Sequence, residues 1–248
     1  MSPTAFPAAT LNAAGLNRQA VFDLSALPAD ILQTLEKIAG ALDSYRQLIL
    51  IGHGGRLLWD CVKASGSASA NPIDEFTVST IAQCFAAELP DTRYAFLYPS
   101  DHPIGLQQLG SLAGWHHASP FMVGIDERWG SWSAYRAVLL TDTHFAPSAK
   151  VDRNHPCRSC LDTPCIERCP ARALDEGRLD LDRCLDFRRQ AASPCQFTCL
   201  ARLACPVGRE HRYSDEQMRH VYGISLRWIQ GLPDADRSIQ RQQNSRRL

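Results

Sequence analysis

Charge of one sign is what this chain lacks first: 26 Lys and Arg balance 26 Asp and Glu, for a formal net charge of zero. Nothing global therefore points to nucleic acid or to an anionic membrane as a partner. Long apolar runs are missing too. None approaches the roughly 18 residues that a bilayer span needs, so no membrane partner is expected. Residues 1–14 have neither a basic n-region nor an apolar h-region, which speaks against export and against a disulfide framework. A phosphate-binding loop is absent as well. Gly52-His-Gly-Gly-Arg56 is not G-x-G-x-x-G and lacks the Lys-Ser/Thr of a P-loop. A tight turn is its plain reading, and anion contact through backbone N–H groups is the sharper one.

Cysteine is what the chain has in excess. Eight of its 10 cysteines lie between Cys157 and Cys205. The first half reads Cys157-Arg-Ser-Cys160-Leu-Asp-Thr-Pro-Cys165-Ile-Glu-Arg-Cys169-Pro170, and the second supplies Cys184, Cys195, Cys199 and Cys205-Pro206. The run C-x₂-C-x₂-C-x₃-C-P marks bacterial ferredoxins with two [4Fe–4S] clusters, where the fourth cysteine ligates the other cluster. Here the middle gap is wider by two residues and the second motif is looser. Each cluster iron takes one thiolate, so eight thiols match two Cys₄ cubanes. Proline after the outlying cysteine pushes it away from the α region and turns the chain outward. One cluster is therefore expected on Cys157, Cys160, Cys165 and Cys205, and the other on Cys169, Cys184, Cys195 and Cys199. Zinc is the competing reading, since Cys₄ zinc sites also use C-x₂-C pairs. Only Cys157 and Cys160 form a clean one. Cys61 and Cys84 read as small core residues.

The rest of the chain is ordinary. At 248 residues, 45% hydrophobic and 21% charged, it has the make-up of a globular protein of one large or two ordinary domains. Residues 1–22 read as an irregular arm. Helical spacing predicts a helix over 27–42 and another over 73–89, with strands at 47–52, 94–98 and 135–141. Residues 64–72 read as a loop. Ser214 with Gln217 is a capping signature for a C-terminal helix, and the last dozen residues read as disordered. Arg188-Arg189 reads as solvated charge.

The join between these blocks carries a resemblance. Pro103-Ile-Gly-Leu-Gln-Gln-Leu-Gly-Ser-Leu-Ala-Gly-Trp115 is followed by Gly130-Ser-Trp-Ser-Ala-Tyr-Arg-Ala-Val-Leu-Leu-Thr-Asp142, and then by the double cysteine motif. That order resembles epoxyqueuosine reductase, an iron–sulfur and B12-dependent enzyme, and its sheet module is similar to that of CblC-type cobalamin-processing proteins. The resemblance spans roughly residues 73–213. It implies a cobalamin as a further cofactor, facing Trp115, His116, Gly130 and Trp132. The Gly-Arg-Asp-Tyr-His that carries the family's proposed catalytic aspartate is absent, so the catalytic residue is unknown. Core packing is the plain alternative for Trp115, Trp129 and Trp132, and a hydrogen-bonded loop is that for His116-His117.

The fold expected is α+β: an α/β-layered domain with helices packed on a sheet (residues 23–150), a small bacterial-ferredoxin-like two-cluster domain (151–213), then a helix and tail (214–248). The function expected is an iron–sulfur oxidoreductase passing electrons to a corrinoid or small organic substrate. A low-potential donor of flavodoxin or ferredoxin type would be its partner. A non-catalytic electron carrier or docking subunit is the alternative, and a zinc-stabilised interaction module is a third reading. Neutral charge gives no support to tRNA as a partner, and reduced thiols point to the cytoplasm.

Overall fold

Gln47-Leu-Ile-Leu-Ile-Gly52 is apolar at positions of both parities, the pattern of a strand buried on two faces. The computed structural model, which describes residues 5–151 and 154–231, places that segment inside a four-stranded sheet. Its strands are β1 (Arg18–Asp23), β2 (Gln47–Gly54), β3 (Tyr94–Tyr98) and β4 (Ser133–Thr141). They lie in the order β1-β2-β4-β3, each neighbouring pair antiparallel. Every residue of β2 is buried. Ile49 and Ile51 point into one core with Ala137 and Leu139 of β4, while Leu48 and Leu50 point into the other with Val138 and Leu140.

Five helices accompany this sheet: α1 (Ala9–Ala13), α2 (Ala29–Ala39), α3 (Leu57–Ala64), α4 (Pro72–Glu88) and α5 (Leu106–Leu112). Leu11, Leu58, Trp59, Ile81 and Phe85 bring α1, α3 and α4 into the first core. Ile31, Leu35 and Leu109 bring α2 and α5 into the second. An antiparallel sheet more often leaves one face wet; here helices cover both. The expected helices at 27–42 and 73–89 are present with trimmed ends. Pro72 opens α4 at a position where its missing N–H costs nothing, and Gly40, at φ +77, closes α2. The α+β class is as expected.

The N-terminal reading needs correction, because residues 9–13 and 18–23 form α1 and β1 and not an irregular arm. Only Ala20 and Val21 of β1 are buried, too few to show a period. Its strand geometry is fixed by pairing, Ala20 with Leu50 and Val21 with Ile49.

The chain divides into two compact units, and the division is not at 150. The first unit takes the chain up to Ser119, then Val123–Leu161 and Pro206–Arg212; the second takes Pro120–Met122, Asp162–Cys205 and the chain from Tyr213. Among the described residues the second unit is helical, with α6 (Pro164–Glu167), α7 (Leu181–Arg189), α8 (Leu200–Ala204) and α9 (Asp215–Gly231). Within it α6 packs on α8, and α7 packs on α9. The Oδ1 of Asp180 accepts from the N–H of Arg183 and caps α7 at 3.0 Å. Ser214 caps α9 as its sequence signature predicts, its Oγ accepting from the N–H of Gln217 at 3.2 Å. The tail expected to be disordered, 236–248, lies outside the described residues. Among the described residues no helix is long and apolar enough to cross a membrane.

Candidate metal centre

All ten cysteines are among the described residues, and none is in a disulfide. Six of the clustered eight belong to the second unit. Cys165 sits in α6, Cys169 just past its end, Cys184 in α7, Cys199 at the N-cap of α8 and Cys205 at its C-cap. Cys205 has φ −57 and ψ 128, the extended conformation that the following proline enforces. Between Cys160 and Cys165, Thr163 takes a left-handed φ of +37 before Pro164 opens α6. A β-branched residue there carries strain of about 1–2 kcal/mol.

The four thiols assigned to one cluster all lie in the second unit. Cys184 is pushed up to about 11, first by burial and then by the charges of Cys199, Cys169 and Cys195. Cys195 is also raised by burial, against the N–H of Leu200, which donates to its sulfur. Cys199 is raised by burial as well, with the N–H groups of Arg202 and Ala201 opposing; the Arg202 N–H lies 3.4 Å from its Sγ. Burial thus favours the protonated thiol at Cys184, Cys195 and Cys199, and loading a metal on them releases protons.

Two buried guanidiniums stand behind this set, and sequence reasoning missed both. Arg188, read as solvated, is only 8% exposed, and Arg202 is 5% exposed. Arg188 donates through Nε to the Cys195 carbonyl at 3.1 Å. Arg202 lies over the Tyr213 ring at 5.0 Å. The signal was available: Arg188 follows Cys184 by four residues on one helix, and so shares its face.

Cys157 and Cys160 belong to the first unit. Cys157 follows His155, whose Nδ1 accepts from the Cys157 N–H at 3.3 Å. The His155 ring lies 5.0 Å from that of His117. Among the described residues no three His, Cys, Asp or Glu side chains converge closely enough to hold one metal ion.

The residues expected to face a corrin have other occupations. Trp132 is 0% exposed and Trp115 is 9% exposed, with the Arg18 guanidinium 4.5 Å over the Trp115 ring. Arg18 also pairs with buried Asp126 at 2.6 Å. Gly130 has φ +58, and a Cβ there would overlap the Val207 carbonyl oxygen. Trp129 stacks on His211 at 4.4 Å. Trp115 and Trp132 are thus buried within the protein, while Trp129 is half-buried. His116 remains partly exposed, and burial followed by the charge of His117 holds its imidazole below the usual range.

No protein-family profile matches the chain, and no curated protein does. Among solved structures it is similar to epoxyqueuosine reductase from Bacillus subtilis, at 14% identity over 83% of this chain and 66% of that one, with a TM-score of 0.48. The epoxyqueuosine reductase from Streptococcus thermophilus gives 15% identity, 81% and 64% coverage and a TM-score of 0.47. The catabolic reductive dehalogenase NpRdhA gives 10% identity, 87% and 33% coverage and 0.47. The chain spans about two-thirds of the two reductases, 66% and 64%, and a third of the dehalogenase, 33%.

Proposed function

We propose that this chain is an iron–sulfur oxidoreductase, with one [4Fe–4S] cluster on Cys169, Cys184, Cys195 and Cys199 and a second on Cys157, Cys160, Cys165 and Cys205. The observation that carries the proposal is that Cys169, Cys184, Cys195 and Cys199 lie in one small helical unit, where the charges of the other three act on Cys184. They fit such a group: one sulfur for each iron, N–H donors aimed at Cys195 and Cys199, and two guanidiniums placed against negative charge. The second set rests on spacing alone. When bound, the clusters supply one-electron transfer. The chain's own residues supply the thiolates and direct N–H dipoles at the sulfurs of Cys195 and Cys199.

The electron donor in this proposal is a low-potential flavodoxin- or ferredoxin-type protein, and the acceptor is a corrinoid or small organic molecule held by the sheet unit. Trp115, Gly130 and Trp132 do not fit a corrin wall, so no corrin contact is assigned to them. Their packing favours a second reading, a non-catalytic electron carrier. Anaerobic purification tests the first point. About eight irons and eight sulfides per chain are expected from two cubanes, with a brown colour that dithionite bleaches. Stoichiometric zinc without labile sulfide would overturn the proposal. Titration with cob(II)alamin separates enzyme from carrier: a saturable spectral change supports the corrinoid reductase, and no change with both clusters intact supports the carrier.

A further inference from the structure

Arg188 is a buried cation with only neutral partners. Its guanidinium donates to the carbonyls of Cys195, Gln196 and Tyr222, each at 3.1 Å, and to Ser225 Oγ at 3.0 Å. It also lies 5.1 Å from the centre of the Tyr222 ring. Among the described residues no carboxylate pairs with it. Taking a cation out of water without a counterion costs several kcal/mol. Such a site is retained where negative charge arrives from another source. The source here shares its helix: Cys184 is one turn back on the same face of α7, and Arg188 is hydrogen-bonded to the residue that carries the Cys195 thiol. Arg202 adds a second buried positive charge three residues after Cys199, beginning at the N–H that donates to that sulfur.

We propose that Arg188, assisted by Arg202, is a fixed countercharge that sets the reduction potential of the iron–sulfur cluster on Cys169, Cys184, Cys195 and Cys199. The inference rests on the iron–sulfur reading and adds to it the residue that governs how readily an electron is accepted. The step is a gain of one electron from an external one-electron donor. No bond forms or breaks and no proton moves, so the negative charge of the site rises by one. A guanidinium held in a low-dielectric interior favours the more negative form, and local charge is among the levers that set cluster potentials.

The test uses the full chain, reconstituted anaerobically, as wild type, Arg188→Met, Arg188→Lys and Arg202→Met. Iron and sulfide are counted first, and redox titrations are then followed by EPR. At a fixed solution potential, Arg188→Met should lower the reduced-to-oxidised ratio of one cluster about tenfold, equivalent to about 59 mV for a one-electron couple. The other cluster is the internal reference and should not move. Arg188→Lys keeps the charge and should stay within about threefold of wild type, which a merely structural role for the fork would not predict. An unchanged ratio in fully loaded Arg188→Met overturns the inference and leaves the iron–sulfur reading standing. Should Arg188→Met fail to load, Arg202→Met carries the same readout, and an unchanged ratio there overturns it equally. Wild-type protein without iron and sulfide overturns the iron–sulfur reading itself.

Discussion

Gly130 shows how little room one residue can have. Its φ is +58 and a side-chain carbon would run into the Val207 carbonyl oxygen, which is backbone and cannot swing away. Gly130→Ala therefore combines left-handed strain with a forced backbone shift, and should cost about 3 kcal/mol. Urea unfolding measures it, and a loss below about 1 kcal/mol would show that the Val207 strand of chain gives way easily. By resemblance this glycine is expected to face a corrin. What approaches is the protein's own backbone 77 residues later in the chain, a partner no local pattern announces. Arg188 carries the same lesson with the sign reversed. An arginine pair in a charged stretch reads as surface, and only the packing of α7 on α9 turns one of the two inward.

At the scale of elements, three of the four strands were readable and the edge strand β1 was not. β2 and β4 bury apolar residues of both parities, so their own composition declares them. β1 has no such surplus and is a strand because β2 offers it a ladder. Strand β4 also carries a pH dependence. Tyr135 is pushed up to about 12 by burial, with Arg18 lowering it and Asp126 raising it. An unfolded tyrosine releases its proton near 10. The folded state thus holds the proton over the window between those values, and stability present below about pH 10 is lost as pH rises through 12. Tyr135→Phe removes the titrating hydroxyl, so its unfolding free energy should fall less than wild type's between about pH 9 and pH 11. Equal losses in the two proteins would assign the alkaline sensitivity to other groups, of which Cys84, raised to about 11 mainly by burial, is the nearest candidate.

For the whole molecule, cysteine spacing separated two kinds of chain but placed their border by composition. The structure places it by packing. Apart from Pro120–Met122, residues up to Leu161 remain with the sheet, and Pro206–Arg212 come back to it after the cysteine block. Composition cannot show such a return, because the seven residues involved carry no period and, beyond Pro206, no motif. Cutting the chain tests their role. A chain ending after Arg212 keeps the segment that packs on Gly130 and Trp129, and its β2 and β4 amides should keep their hydrogen-exchange protection. A chain ending after Cys205 should lose part of that protection, by about 1–3 kcal/mol in opening free energy. Equal protection in the two would make the segment a passenger.

That return also sets an order of events at the ribosome. Synthesis releases the chain from its N-terminus, and domains fold as their residues emerge. The backbone that seals Gly130 leaves the exit tunnel only after all eight clustered cysteines have done so. The sheet unit therefore cannot finish its packing before the thiols are in the open. For a nascent chain, the interval of exposed sulfur and the interval of incomplete core are one interval. Whatever delivers iron and sulfide to this protein meets it with both still unfinished, and air reaches it in the same condition.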